Sequence, residues 1–88
     1  MVTTPDPYEN TPTAVVYDVF AETATRLVGR FTRLSDTATT AEERQEWWSK
    51  AIALRDAKRA VPAHDREQLI VHILRWKSEL ARLEGDRA

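Results

Sequence analysis

The sequence predicts an all-α fold, an antiparallel three-helix bundle, and three features of the chain carry this prediction. The chain has 88 residues, which is the size of one small domain. Between Thr13 and Val61 it contains no proline and a single glycine, and such sparse punctuation is typical of long helices rather than of strands and hairpins. Apolar residues also recur at spacings of three and four in three separate stretches.

Composition narrows the classes of function. The formal net charge is −1, so no overall positive field attracts phosphate backbones. The absence of cysteine excludes disulfides, thiolate metal sites and a cysteine nucleophile, and it fits a reducing cytoplasm. The apolar runs are too short to cross a membrane, and the N-terminal stretch MVTTPDPYENTPT lacks the regions of a signal peptide. We therefore expect a cytoplasmic protein without a membrane partner.

The first helix is predicted over residues 12–35, after a flexible segment of residues 1–11 that is rich in threonine and proline. The bundle then occupies residues 12–88. Thr11 is a suitable N-cap, and Pro12 suits the first helical position because its missing N–H would be unpaired there anyway. One apolar stripe follows the helix: Val16, Phe20, Ala24, Leu27, Phe31 and Leu34.

The second helix is predicted over residues 41–60. Two overlapping capping boxes, Thr39 with Glu42 and Thr40 with Glu43, are predicted at its start. Lys58 and Arg59 lie in its last turn, where positive charge interacts favourably with the helix dipole. Its predicted buried residues are Trp47, Ala51, Leu54 and Val61.

The third helix is predicted over residues 65–84. Pro62 ends the preceding helix, Asp65 with Gln68 forms a capping box, and Gly85 suits the C-terminal end. Because the connections are short, neighbouring helices should be antiparallel. The apolar stripe of this helix consists of Leu69, Ile73, Trp76, Leu80 and Leu83.

Catalysis, metals and cofactors find little support in the sequence. His64 and His72 are roughly 12 Å apart along an ideal helix, which is too far to chelate one ion. Glu42, Glu43 and Glu46 are explained as charges at a helix N-terminus. The chain has no glycine-rich phosphate loop, and three short helices leave little room for a substrate pocket. We expect no enzyme, no metal and no cofactor.

Two tryptophans are more informative about partners. Adjacent helical residues point about 100° apart, so a three-helix core that buries Trp47 is expected to leave Trp48 at least partly exposed. An exposed tryptophan often marks a partner surface, and the alternative is that the core widens locally. Trp48 is therefore a candidate contact. A small adaptor that self-assembles through Trp47, Trp48 and Ile52 is the second functional hypothesis.

The first helix carries the other candidate contacts. Its polar face is acidic in the N-terminal half and basic in the C-terminal half, although charged faces are usually just solvated. A glycine in mid-helix costs about 1 kcal/mol relative to alanine, so Gly29 suggests close approach of another backbone. The candidate partner-binding residues are Tyr17, Asp18, Phe20, Glu22, Thr25 and Gly29, together with Trp48.

Basic residues interleave with acidic ones along the second and third helices, and this pattern is typical of a solvated helical surface. A helix-turn-helix reading of RAVPAHDREQL is weakened by the absence of glycine from the turn and by the low overall charge. A small DNA-binding regulator is therefore the third hypothesis, and nucleic acid is a disfavoured partner.

The last third of the chain resembles a known family. The stretch AKRAV, a short corner, and then EQL and RWKSEL resemble the C-terminal part of the epsilon antitoxins of epsilon–zeta toxin–antitoxin systems, which are small three-helix proteins. The matching positions are Ala57, Lys58, Arg59, Glu67, Leu69, Trp76, Lys77 and Ser78.

The resemblance implies a kinase inhibitor. Zeta toxins are P-loop kinases that phosphorylate UDP-activated amino sugars, and their antitoxins lay the N-terminal helix into the nucleotide site. An aromatic and an acidic side chain there block the positions of the ATP phosphates, a role that Tyr17, Asp18, Phe20 and Glu22 match by type and region. The implied partner is a zeta-like toxin kinase, and a heterotetramer with the toxin is compatible with the family.

Overall fold

The computed structural model describes residues 7–85 and contains three helices in this range, with no strand. They are α1 (Thr13–Thr37), α2 (Ala41–Ala60) and α3 (Arg66–Gly85). The predicted all-α fold class is therefore confirmed. The predicted helix ends differ from the observed ones by at most two residues, the largest difference being the C-terminal end of α1.

Helix α1 is the middle rod of the bundle, because both other helices pack on it. The Phe31 and Trp47 rings stack with centroids 5.9 Å apart, which places the C-terminal half of α1 beside the start of α2. Arg66 at the start of α3 bonds Thr13 at the start of α1, and further along both helices the Trp76 and Phe20 rings lie 5.1 Å apart, so α3 runs parallel to α1. Within the described range no Cα of α2 lies within 8 Å of a Cα of α3.

The core follows the predicted apolar stripes on α1 and α3. Every stripe residue of α3 is buried, and on α1 only Leu34 is partly exposed. Helix α2 contributes less: it buries Ala51 and Leu54 completely, and Trp47 and Val61 only in part. The reason is geometric, since α2 packs closely on one neighbour and its remaining surface stays in solvent.

Local capping agrees with the sequence at two of the three helix starts. The Glu43 N–H donates to Thr40 Oγ1 at 3.0 Å, and the Gln68 N–H donates to Asp65 Oδ1 at 3.2 Å. The cap predicted for α1 is wrong. Pro12 occupies the N-cap position and makes no side-chain cap bond, while the Thr11 carbonyl oxygen accepts from α3 instead.

A single arginine ties the chain before α1 to the start of α3. The Arg66 guanidinium donates to the carbonyl oxygen of Thr11 at 2.8 Å, to Thr13 Oγ1 at 3.2 Å and to the carbonyl oxygen of Tyr8. The Thr11 N–H closes a turn onto the same Tyr8 oxygen at 2.8 Å. These bonds connect the turn of residues 8–11 to α3. The flexibility of residues 1–11 stays a prediction. Residues 1–6 lie outside the described range.

Helix α1 also buries two polar residues, Thr23 and Ser35, that the apolar stripe did not predict. The Thr23 hydroxyl donates to the Val19 carbonyl oxygen at 2.7 Å, within its own helix. The Ser35 hydroxyl donates to the Arg44 carbonyl oxygen at 2.9 Å and so joins α1 to α2. A buried hydroxyl without a partner costs free energy, and both groups avoid that cost.

The outer face of α3 carries exposed apolar side chains among charged ones. Val71 is 41% exposed and Leu74 is 51% exposed. Scattered apolar residues of this kind are normal on a soluble surface. Over the described residues, none of the three helices is both long and apolar enough to cross a bilayer.

Candidate protein-binding surface

Four of the predicted partner contacts form one strip along the solvent side of α1. Asp18, Glu22, Thr25 and Gly29 are separated by four, three and four residues, and all four are exposed. This spacing keeps successive side chains on one face of a helix. Because α2 and α3 pack on the other sides of α1, no described segment covers these residues, which we call the α1 strip.

The two carboxylates of the α1 strip form no ion pair with any residue that the structure describes. Among the residues that the structure describes, no basic nitrogen lies within ion-pair distance of Asp18 or Glu22. The Thr25 hydroxyl donates to the Ala21 carbonyl oxygen at 3.0 Å, which leaves its oxygen free to accept a further bond. The strip therefore presents hydrogen-bond acceptors and negative charge to solvent.

Tyr17 lies between the α1 strip and α2. It is half-buried, and its ring centroid is 5.8 Å from that of Phe20 at a tilt of 39°. The core thus fixes the position of the Tyr17 ring while part of the residue faces outward. Such a ring, rigid and partly exposed, loses little conformational entropy when it contacts a partner.

Phe20 is different from the other predicted contacts, because its side chain is 0% exposed. Its ring meets Trp76 at 5.1 Å and His72 at 6.1 Å, both on α3. The residue faces the helix pair rather than solvent, since it belongs to the i, i+4 stripe that begins at Val16. The structure therefore places Phe20 in the core and not on the surface predicted to bind a partner.

Gly29 is exposed, and a Cβ placed on it would meet no atom within 4 Å. The close approach of another backbone that the sequence suggested is therefore not made by the described part of this chain. The position of Gly29 on the α1 strip leaves that contact open to a separate molecule.

The two tryptophans face different surroundings, as the 100° between adjacent helical residues requires. Trp47 stacks on Phe31 with an interplanar angle of 27°, whereas Trp48 is 45% exposed. Trp48 is not near the acidic end of the α1 strip. It lies at the level of Phe31, and the 13 residues from Asp18 to Phe31 correspond to about 20 Å along the helix.

The histidines have ordinary structural positions. His64 is exposed in the corner between α2 and α3. His72 Nδ1 lies 2.7 Å from the Gln68 carbonyl oxygen, and its ring packs edge-on against Trp76 with centroids 5.1 Å apart. In residues 7–85 no three histidine, aspartate or glutamate side chains come close enough together to hold a metal ion.

A basic cavity that sequence reasoning missed lies between α1 and the C-terminal half of α2. Its volume is about 530 Å³, and Arg55, Lys58 and Arg59 line it. The signal was present as three cations within five residues on one side of α2, but the interleaved acids suggested ordinary surface pairs. A smaller hollow of about 230 Å³ lies between α1 and α3, beside Arg26, Arg30 and Arg33.

The molecule thus presents an acidic strip on α1, a basic cavity beside the C-terminal half of α2 and an exposed tryptophan, Trp48, in the N-terminal half of α2. Each is a surface feature built on rigid helices, and the strip and the cavity carry opposite charge. Comparison of the chain with models of protein families, with curated proteins and with solved structures finds no match.

Proposed function

We propose that this chain is a non-catalytic antitoxin that neutralises a zeta-type P-loop kinase by laying α1 into the nucleotide-binding site of the kinase. The observation that carries the proposal is the pair of exposed carboxylates, Asp18 and Glu22, which lie one turn apart on the α1 strip and form no ion pair within residues 7–85. The resemblance of the last third of the chain to the epsilon antitoxins supports the identity of the partner.

The physical argument starts from the chemistry of the target. A P-loop kinase surrounds the phosphates of ATP with backbone N–H groups, a lysine and arginine side chains. Asp18 and Glu22 are about 6 Å apart along the helix axis, so both can enter one cleft. Carboxylates accept charge-assisted hydrogen bonds from the same donors that hold phosphate. The two side chains need not break an ion pair of their own first.

Preorganisation strengthens this argument. Helix α1 is held by packing on both α2 and α3, so the α1 strip is already in its helical conformation before binding. A partner then orders a few side chains rather than a whole segment, which lowers the entropic cost of association. In this proposal Tyr17, Asp18, Glu22, Thr25 and Gly29 contact the kinase.

Phe20 supports the contact surface from beneath. Its ring packs against both Tyr17 and Trp76, and so couples the exposed part of α1 to the core. This residue is a positioning residue in the proposal, and it does not touch the kinase.

The first experiment identifies the partner. The full chain, carrying an affinity tag, is used to capture proteins from a cytoplasmic extract of the organism that encodes it, and captured proteins are identified by mass spectrometry. A P-loop kinase that copurifies at fixed stoichiometry, and whose ATP-dependent phosphorylation of UDP-activated amino sugars is blocked by the chain, is the expected result. Capture that yields no P-loop kinase would refute the proposal.

The second experiment tests the α1 strip. The double variant Asp18→Lys with Glu22→Lys should lose inhibition and lose protection of cells that co-express the kinase, because lysines repel the basic nucleotide site. The matched control is Glu46→Lys with Asp56→Lys, which makes the same change of charge at two exposed positions of α2. If the control lost protection equally, or the α1 double variant kept it, the strip would not be the inhibitory surface.

Self-association is the second candidate function, and the exposure of Trp48 favours it. Trp48 is 45% exposed and Ile52, one turn later, is half-buried, so this side of α2 offers an apolar surface. A complex that assembles through it would raise the thermal midpoint as protein concentration increases. A midpoint that is independent of concentration, in both the wild type and Trp48→Ala, would exclude this function.

A further inference from the structure

The cavity between α1 and α2 is lined by three cations that have no role in the proposed inhibition of a kinase. Three basic residues of α2 line it together with polar and apolar residues of α1. Among the residues that the structure describes, no acidic residue lines it. Its principal lining residues are Arg55, Lys58, Arg59, Tyr17, Thr25 and Val28.

The cations of this cavity form no ion pair within the described part of the chain. No carboxylate of the described residues lies within ion-pair distance of Arg55, Lys58 or Arg59. Like charges three and four residues apart on a helix repel each other. The helix dipole favours Lys58 and Arg59 in the last turn of α2, but Arg55 lies outside that turn. The cluster therefore has a positive potential that an anion would relieve.

The other wall of the cavity is apolar and aromatic. Val28, Ala24 and the half-buried Tyr17 come from α1, and Val61 comes from the end of α2. The volume of about 530 Å³ falls within the range of small-molecule sites, roughly 300–1,000 Å³. Such sites combine an apolar wall with a few polar groups that fix the orientation of the ligand.

We propose that this cavity binds a small phosphorylated molecule with a flat organic part, a nucleoside monophosphate in its simplest form. The phosphate lies between Arg55, Lys58 and Arg59, and arginine offers two parallel N–H donors to it. The organic part lies against Tyr17 and Val28. A small ligand is favoured over a nucleic-acid duplex because the cations line one wall of a concavity, with an apolar wall opposite, instead of following a flat face.

Isothermal titration calorimetry of the full chain at low ionic strength tests this site with three probes: AMP, adenosine and inorganic phosphate. We expect AMP to bind with one-to-one stoichiometry, and adenosine and inorganic phosphate each to bind at least about tenfold more weakly, since each lacks one half of the recognised chemistry. Absence of AMP binding, or inorganic phosphate binding as tightly as AMP, would overturn the proposal.

Two variants locate the site. Arg55→Gln with Arg59→Gln should weaken AMP binding by about tenfold or more, because two charge-assisted contacts to phosphate are lost. Arg75→Gln with Lys77→Gln, at exposed positions of α3, makes the same change of charge and should leave the affinity unchanged. Far-UV circular dichroism checks that both variants stay helical, which is expected because all four side chains are exposed.

These results distinguish a specific binding site for AMP from non-specific electrostatic attraction of anions to the protein. Equal losses in the two double variants, or tighter binding of a DNA duplex than of AMP, would overturn the proposal. Tyr17 and Thr25 belong both to this cavity and to the surface proposed to contact the kinase. Neither double variant alters these residues, Asp18 or Glu22, so AMP binding and kinase inhibition are tested separately. A chain that binds AMP but captures no kinase would keep this inference and refute only the other.

Discussion

Replacing Phe20 with alanine tests the assignment of this residue to the core. The side chain is 0% exposed and touches Trp76, His72 and Tyr17. Truncating a buried phenylalanine to alanine costs about 3–5 kcal/mol, from lost burial and from the cavity that is left. A domain of this length has a total free energy of unfolding of roughly 4–13 kcal/mol, so the variant should lose a large share of its stability.

Trp48→Ala provides the matched control, because both aromatic residues were predicted as partner contacts. Full burial of an aromatic side chain contributes on the order of 4–6 kcal/mol at about 25 cal/mol/Å². Trp48 is 45% exposed, so roughly half of that applies. Compactness of the unfolded chain and the higher helix propensity of alanine reduce the expected cost further, to about 1–2 kcal/mol.

Urea unfolding followed by far-UV circular dichroism measures both variants, with the midpoint and the m value fitted together. The larger tryptophan should thus cost less than the smaller phenylalanine, and burial alone explains the order. If Phe20→Ala were as stable as Trp48→Ala, and instead lost binding to the kinase, Phe20 would be a surface contact and the packing described above would be wrong.

Three further predictions concern stability. Ile73→Ala should cost about 2–5 kcal/mol and Leu74→Ala about 1 kcal/mol or less, because Ile73 is 0% exposed and Leu74 is 51% exposed; equal midpoints in urea would contradict the orientation of α3. Ser35→Ala should cost about 1 kcal/mol in the same assay, since it removes a buried bond between α1 and α2, and an unchanged midpoint would show that the bond contributes nothing. The hydrogen bond from Arg82 lowers the pKa of the Glu79 carboxyl, so their pair stabilises the fold above the ordinary carboxyl pKa and its contribution is lost as the pH falls through the lowered value. Glu79→Gln should therefore be less stable than wild type at neutral pH by about 0.3–0.5 kcal/mol, and a gap that persisted in strong acid would have another cause.

Local sequence patterns were sufficient to predict the helices and most of the core residues. The Thr40 and Asp65 caps form as predicted because each hydroxyl or carboxylate bonds a backbone N–H three residues away, within one turn of chain. The cap predicted at Thr11 is wrong, and the residue that bonds Thr11 instead is distant in the sequence. Arg66 binds the carbonyl oxygen of Thr11 and holds the preceding turn, so the helix begins one residue later.

The candidate surface was only partly predictable. A polar face on α1 follows from helical periodicity, and Asp18, Glu22, Thr25 and Gly29 are all exposed as that periodicity requires. Phe20 was included for its chemistry, although its spacing from Val16 and Ala24 already indicated the core. The basic cavity could not be predicted, because it needs α1 and α2 to face each other at a particular rotation.

The sequence by itself determined which segments are helical and most of the apolar residues that α1 and α3 bury, because these properties depend on groups three or four residues apart. The tertiary structure alone decided that α1 lies between two helices that do not pack closely on each other, and that three cations of α2 line a hollow against Tyr17. These outcomes depend on side-chain volumes at contacts between distant segments, which set how helices rotate and separate when they pack. Periodicity assigns a side chain to a face of its helix, and only the packed helices define what that face meets.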